Sequence, residues 1–374
     1  MGYTAIVLVG GVGSRLRPLT LTRPKPLIPL AGKPLVDRII EWLRKHGYTR
    51  FVLPAKYLGH MIEDYYQGVK DVIVKITDSK DTADAVRLVS DILGDEDNVL
   101  ISMGDVVCNA DFNAFMKYHL EHDGIASIAL KEVDNPLHYG VVIIDEKGRI
   151  KHFVEKPASI ELYVISLAFS RVSSRFSSNL VNTGFYIISR DVLKIIKEYP
   201  SLMDWGKHVF PYLIEQGYNV YGWIMSPYTY WEDLGRPENY VKVVYDVLEG
   251  KVDGYYPLGK MIRKGIYIGE NAVIEGKIIP PVYIGPDSFI DEKSVVGPYV
   301  SIEKGSEVRN SRLSYSILWE HVVVHNSEVM ESIIMNNAII NSGCKVLSSI
   351  IGSNVNVPSN TMIYGKTIEP VLQV

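Results

Sequence analysis

The chain has 374 residues, about twice the usual length of one domain, so two domains are expected. Hydrophobic residues make up 47% and charged residues 22%, which supports a sizeable core and excludes disorder as the main state. Lys plus Arg total 39 against 43 for Asp plus Glu, a formal net charge of -4. Without a global basic field, nucleic acid is excluded as the main partner, and phosphate chemistry has to come from local cations and backbone amides. Two cysteines, Cys108 and Cys344, offer neither a disulfide framework nor metal-ligand spacing, and they point to a reducing compartment. No basic run precedes the apolar start of the chain, and no apolar stretch approaches the roughly 18 residues of a membrane-spanning helix. A cytoplasmic protein with no membrane partner is expected. Its 24 tyrosines against three glutamines are compatible with a heat-adapted source.

Short apolar runs alternate with helical patterns up to about residue 250. Thr4–Val9 reads as a buried strand because it is short, branched and followed by glycines. Leu35, Val36, Ile39, Ile40 and Leu43 fall at helical spacing, with Gly47 placed to end that helix. Further strands are expected at 51–53, 72–76, 99–103 and 125–131, with helices near 83–93 and 111–121. Pro237 starts a last helix, with Tyr240, Val243, Val244 and Val247 on its apolar face. Such alternation predicts an open, mostly parallel α/β sheet of Rossmann-like type.

From about residue 260 the period changes to six. Ile284, Ile290, Val296, Ile302 and Val308 recur at that step, with Ser288, Ser294, Val300 and Ser306 four positions further on. Ile334, Ile340 and Val346 keep it, and Ile351, Val357 and Ile363 resume it after a slip. This predicts a parallel β-helix of hexapeptide repeats, of roughly five coils at about 18 residues each. A cut near residue 250 therefore separates a domain at 1–250 from one at 251–374.

Chemistry concentrates just after the first strand. Val9, Gly10, Gly11, Gly13 and Ser14 form a loop whose amides can approach phosphate oxygens. It is no Walker A loop, since no Gly-Lys-Ser/Thr follows, and it lacks the third glycine of the dinucleotide fingerprint. Arg15 lies within it, and Lys25 follows ten residues later in Pro24–Leu30. Two cations beside an amide-lined loop suit a triphosphate awaiting an anionic nucleophile.

These residues resemble the signature of the nucleotide-sugar pyrophosphorylases, the sugar-1-phosphate nucleotidyltransferases. Gly-Gly-x-Gly-Ser-Arg-Leu-x-Pro-Leu-Thr is followed by Pro-Lys-Pro-Leu-x-Pro-x-x-Gly-Lys-Pro, and later blocks keep the family's order. The resemblance implies transfer of a nucleotidyl group from an NTP to a sugar 1-phosphate, with Mg²⁺ as cofactor. It assigns Asp105, after Gly104, and Asp233 to the metal. It assigns Arg15 to the departing pyrophosphate and Lys25 to the α-phosphate, and it places Gly140, Glu155, Lys156, Asn182 and Gly184 around the sugar phosphate. It extends over nearly the whole chain, because the family includes members with a left-handed β-helix tail. Members combining Pro-Lys-Pro with that tail often use GTP and mannose 1-phosphate, so a mannose-1-phosphate guanylyltransferase-like enzyme is expected.

Four features depart from that pattern or leave it open. The base-side loop, with Asp78, Ser79, Asp81, Thr82 and Ala83, carries Asp81 for the family's glycine and Ser79 for its proline. Val9 replaces an alanine near the base. A carboxylate at 81 either blocks the base or accepts from the N1–H and N2–H₂ edge of guanine. The segment Ala158–Ser178 is longer than usual and is expected to be a lid or an oligomer contact. His321 and His325 lie in the β-helix, where some bifunctional relatives use a histidine for acetyl transfer; a structural or solvated role is expected here. The β-helix is expected to assemble copies of the chain, or to join it to a paralogous subunit. The alternatives are a non-catalytic, sugar-nucleotide-sensing regulatory subunit, an enzyme specific for UTP, dTTP or glucose 1-phosphate, and a bifunctional acetyltransferase.

Overall fold

A computed structural model of the chain describes residues 2–94, 96–158 and 179–372. Apart from Ala158, the 158–178 segment lies outside the described residues. Two compact units are interleaved along the chain: Met1–Gly11 with Ile39–Trp231, and Val12–Arg38 with Glu232–Val374. Periodicity alone suggests one cut at residue 250. Tertiary packing instead groups the arm 12–38 and the helix Pro237–Leu248 with the β-helix.

The first unit is built on a nine-stranded mixed sheet. Its strands are β1 (Tyr3–Leu8), β2 (Tyr48–Ala55), β3 (Val72–Ile76), β4 (Asn98–Met103), β5 (Ala126–Glu132), β6 (Gly140–Ile144), β7 (Ile150–Glu155), β8 (Leu180–Ser189) and β9 (Val220–Ile224). The order is β7-β6-β8-β4-β1-β2-β3, with β5 paired to β8 and β9 to β5. β1, β2, β3 and β4 are mutually parallel, whereas β8 runs antiparallel to β4. The expected strands fall where hydrophobic runs place them, lengthened by a few flanking residues. The helix expected near 83–93 is α-helical over Thr82–Val89 and ends in a 3₁₀ turn, Ser90–Leu93. Ile6, Val52, Val86, Ile101, Ile128 and Phe210 share one core between sheet and helices.

Strand order fixes where a ligand can bind. From β1 the chain winds outward through β2 and β3, then returns to β4 on the other side of β1. In open α/β sheets ligands bind at the carboxyl ends of the strands beside such a switch point. Val9–Gly11 and Gly104–Asp105 are the residues that leave β1 and β4 there.

The second unit contains the left-handed parallel β-helix, in three sheets of stacked short strands. Six complete coils are present among the described residues, one more than the period of six suggests. The reason lies at the corners. Val282 sits over Val300, but Val300 sits over Ser316 and Ile333 over Ile350, so a coil takes 16 to 18 residues. Inward positions therefore continue through Leu313, Leu318, Val324 and Val329 at steps of five or six. Asn310, Asn326, Asn337, Asn354 and Asn360 take left-handed corner conformations, which Asn tolerates better than most residues. The buried corner serines are satisfied between coils: the Ser306 hydroxyl donates to the Trp319 carbonyl at 3.0 Å and accepts from Val322 N–H at 3.1 Å.

Candidate active site

In the first unit the glycine-rich loop begins where β1 ends, and Gly104 closes against it. Gly104 N–H donates to the Leu8 carbonyl at 3.0 Å. A Cβ at 104 would lie 2.6 Å from that carbonyl oxygen and 2.8 Å from Val9 Cγ1, so only glycine fits beside the buried Val9. Gly10 lies against the Lys56 side chain, and its carbonyl accepts from Tyr57 N–H at 3.4 Å. Apart from its chain neighbours, no atom of the described residues lies within 4 Å of a Cβ position at Gly11, which leaves room for a ligand there.

The base-side loop is fixed without the family's proline. Thr77 N–H donates to the Ala55 carbonyl at 2.8 Å, and Lys56 Nζ donates to the Ser79 carbonyl at 2.7 Å. The same ammonium lies 3.1 Å from the Asp78 carboxylate. Lys80 N–H donates to Asp84 at 2.7 Å, and Asp84 is ion-paired with Arg87. Asp81 caps the helix Thr82–Val89, accepting from Thr82 N–H at 2.9 Å. Burial, reinforced by the neighbouring Asp204 carboxylate, raises the Asp81 pKa above the usual carboxylate range. Asp204 in turn accepts from the Thr82 hydroxyl at 3.1 Å and from Lys207 N–H at 2.7 Å. The Asp81 carboxylate is thus already engaged as a cap, next to a second one.

The sugar-side residues also converge in this unit. Glu155 ends β7 opposite Gly140, and a Cβ at either Gly140 or Gly206 would stand 2.8 Å from Glu155 Oε2. The carboxylate therefore lies between two bare backbones. Lys156 takes a left-handed conformation with φ 47°, its N–H donating to the Tyr139 carbonyl at 3.1 Å and its ammonium 3.1 Å from Glu155. Pairing of β8 with β5 is irregular between Asn182 and Tyr186. Across that bulge the Asn182 amide donates to the Tyr186 hydroxyl at 3.0 Å, and its carbonyl accepts from Gly184 N–H at 3.0 Å.

The second unit carries the cations. Gly13 is left-handed, and its carbonyl accepts from Leu16 N–H and from the Thr20 hydroxyl, both at 2.9 Å. The turn Ser14–Leu16 follows and bears Arg15. Lys25 opens a second short turn, Lys25–Leu27; it is 7% exposed, and its Nζ lies 3.3 Å from Asp233 Oδ1. A side chain at Gly235 would press on the Asp233 carboxylate at 2.9 Å and on the Arg15 guanidinium at 3.4 Å. Arg15, Lys25 and Asp233 are therefore gathered together, while Asp105 belongs to the first unit. His321 occupies a left-handed corner against Gly305, and His325 stands 3.6 Å from Glu307 on an outer face of the β-helix.

Lys56, Asp204 and Gly206 escape motif reading. Asp204 did carry a signal, an acid capping the turn Trp205–Val209. Lys56 carried none, since its partners are backbone and loop atoms more than twenty residues away.

A model of the nucleotidyl transferase family matches residues 4–250. The chain belongs to that family. A second model, the GMPPB C-terminal domain, matches residues 278–374. "Mannose-1-phosphate guanylyltransferase 1" of Arabidopsis thaliana is 30% identical over 382 residues, covering 98% of this chain and 95% of the relative. "Bifunctional protein GlmU" of Methanocaldococcus jannaschii is 34% identical over 377 residues, covering 96% of this chain and 79% of the relative. "Mannose-1-phosphate guanylyltransferase catalytic subunit beta" of Danio rerio is 32% identical over 245 residues, covering 63% of this chain and 62% of the relative. The family member described here is an enzyme of the sugar-1-phosphate nucleotidyltransferase type, a class that generally uses a divalent metal. No helix among the described residues is long and apolar enough to cross a membrane.

Proposed function

We propose that the enzyme transfers the guanylyl group of GTP to mannose 1-phosphate, giving GDP-mannose and pyrophosphate. The observation that carries this reading is the guanylyltransferase relative from Arabidopsis, which aligns with the chain over nearly the full length of both. A phosphate oxygen of the sugar 1-phosphate attacks the α-phosphorus, and the bond from that phosphorus to the bridging oxygen breaks as pyrophosphate leaves. No protein nucleophile is needed, so catalysis is positioning and charge neutralisation. Lys25 serves the α-phosphate and Arg15 the departing pyrophosphate. Gly10, Gly11, Gly13 and Ser14 hold the triphosphate, with Val9, Gly104 and the loop Asp78–Ala83 at the base. Glu155 and Lys156 hold the sugar and its phosphate, in a strand frame shaped by Gly140, Asn182 and Gly184. Cytoplasmic assembly through the β-helix belongs to the same reading.

Asp105 and Asp233 offer hard oxygen donors of the kind Mg²⁺ prefers, and no group of three or more ligating side chains is found among the described residues. A metal on two carboxylates would complete its shell with phosphate oxygens and water. It would supply charge neutralisation at the triphosphate. The test is pyrophosphate release across a panel of NTPs and sugar 1-phosphates with Mg²⁺ present. GTP with mannose 1-phosphate is expected to give the highest kcat/KM. A different best pair would overturn the substrate assignment, and nucleotide-sugar binding with no turnover would establish a sensor instead.

A further inference from the structure

The arm that carries Arg15 and Lys25 packs as part of the β-helix unit, and most of its anchors are side chains of the β-helix itself. Two residues before Lys25, the Arg23 guanidinium makes a two-pronged pair with Glu320, at 2.9 and 3.0 Å. The same guanidinium lies 5.0 Å over the ring of Trp319, which is fully buried. Next to it, the Thr22 and Ser353 hydroxyls are 3.1 Å apart. Further along, Gly32 N–H donates to the buried Glu303 carboxyl at 3.0 Å, and Leu258 N–H donates to the Ala31 carbonyl at 3.0 Å. The Tyr240 hydroxyl completes the set, donating to the Pro29 carbonyl at 2.8 Å and accepting from Trp319 Nε1 at 3.1 Å.

Three separate coils of the β-helix, together with Tyr240 and Leu258, thus hold one segment. Before the helix that starts at Leu35, the segment has almost no regular structure of its own, only two 3₁₀ turns and a two-residue hairpin ladder. Lys25 is met at its ammonium by Asp233, and the anchors fix the backbone from which it projects. A bidentate guanidinium–carboxylate pair that is less than one-third exposed and stacked on an indole is well suited to that task, because it restricts angle as well as distance.

We propose that the β-helix is the positioning scaffold of the phosphate-binding arm, with Glu320 and Arg23 as positioning residues that set where Lys25 and Arg15 meet the triphosphate. The consequence for the reaction rests on the roles proposed above for Lys25 and Arg15; the anchoring itself does not. In this scheme the β-helix contributes to turnover directly, besides any part it takes in assembly.

The experiment uses the full-length protein and three variants: Glu320→Gln, Arg23→Lys, and the reversed pair Arg23→Glu with Glu320→Arg. Amide hydrogen exchange of residues 19–33 is measured without substrate, and kcat and KM are measured with the best NTP and sugar 1-phosphate. Glu320→Gln is expected to speed exchange in 19–33 while leaving coils 333–363 unchanged. It should lower kcat by roughly 10–100-fold, the range for a misplaced reacting group, with little change in KM for the sugar 1-phosphate. The reversed pair should recover part of both. Should Glu320→Gln fail to fold, Arg23→Lys, which keeps the charge but loses the fork, carries the same readouts. Unchanged exchange, or unchanged kcat in an active enzyme, overturns the proposal. If the parent protein turns over no substrate pair, the proposed function fails, and exchange in 19–33 still decides the anchoring.

Discussion

The base-side loop at 77–81 and the arm at 12–38 are both irregular, and both are assigned to the nucleotide, yet they are held in opposite ways. Lys56 and Asp78 form a surface pair with side chains 44% and 100% exposed, and the loop's other ties run to the Ala55 carbonyl, to the helix that follows and, through Asp81, to Asp204. The arm is held by side chains almost 300 residues away, among them the Arg23–Glu320 pair and the buried Glu303. An exposed pair is screened and costs side-chain entropy, so it contributes at most about 1 kcal/mol. A buried, multiply bonded carboxyl cannot be removed without leaving partners unsatisfied. The contrast marks a division of labour: groups assigned to the phosphates stand on the stiffer support, and groups assigned to the base stand on the more adaptable one.

The sharpest break in that contrast comes from the carboxylates. Asp233→Ala removes one partner of the buried Lys25 and an assigned metal donor; Asp105→Ala removes the other donor. Each is expected to lower kcat by about 10²–10³-fold, the scale for losing one preorganised electrostatic group, with the fold intact by circular dichroism. A rate within a few-fold of the parent in either variant would remove that residue from the metal assignment. A change of that size at the base-side loop instead would reverse the comparison.

Glu303 tests the rigid side through pH. Burial pushes its carboxyl up to about 8, assisted by the nearby Glu320, while Gly32 N–H, Ser301 and Arg38 pull it back. Because the folded-state value is raised, the native protein holds this proton at pH values where the unfolded chain has released it. The stabilisation is complete below about pH 4.5 and is lost as pH rises through about 8. Glu303→Gln, which mimics the protonated form, should melt with the parent near pH 4.5 and progressively above it towards pH 9, by several degrees. A melting difference that stays constant across that range would show that Glu303 does not titrate as its burial requires.

Which parts were legible in the sequence follows from this same contrast. Local period was legible: the branched run of β1, the stripe of the helix Leu35–Lys45, and the six-residue step at Ile284–Val308 all fall in place. The five-residue steps through Leu313 and Leu318 were not, because a corner can lose a residue while the inward side chain still points inward. Membership of the arm in the β-helix unit was also hidden. It depends on pairs such as Arg23–Glu320 that no periodicity links, and each partner alone reads as a surface charge. Asp81 was legible as an oddity but not as a cap sharing its surroundings with Asp204, since that needs two helix starts to meet.

The smallest expected effect lies on the adaptable side. Lys56→Gln deletes the charge paired with the fully exposed Asp78, and stability should hardly fall, because so exposed a pair is screened by solvent. What should move is selectivity. Lys56 lies against Gly10 and holds the loop that carries Ser79 to Thr82, and loosening it lets the base side settle in more than one position. The ratio of kcat/KM for GTP over UTP should drop by roughly 2–5-fold, the scale of losing at most about 1 kcal/mol of discrimination. With turnover assigned to the arm, kcat at saturating GTP should hardly change. Steady-state rates with both nucleotides at several salt concentrations check this, since an exposed pair is screened and the gap between parent and variant must narrow as salt rises. If kcat itself collapses, the loop is as rigidly coupled to the reaction as the arm, and the division of labour between the two supports is wrong.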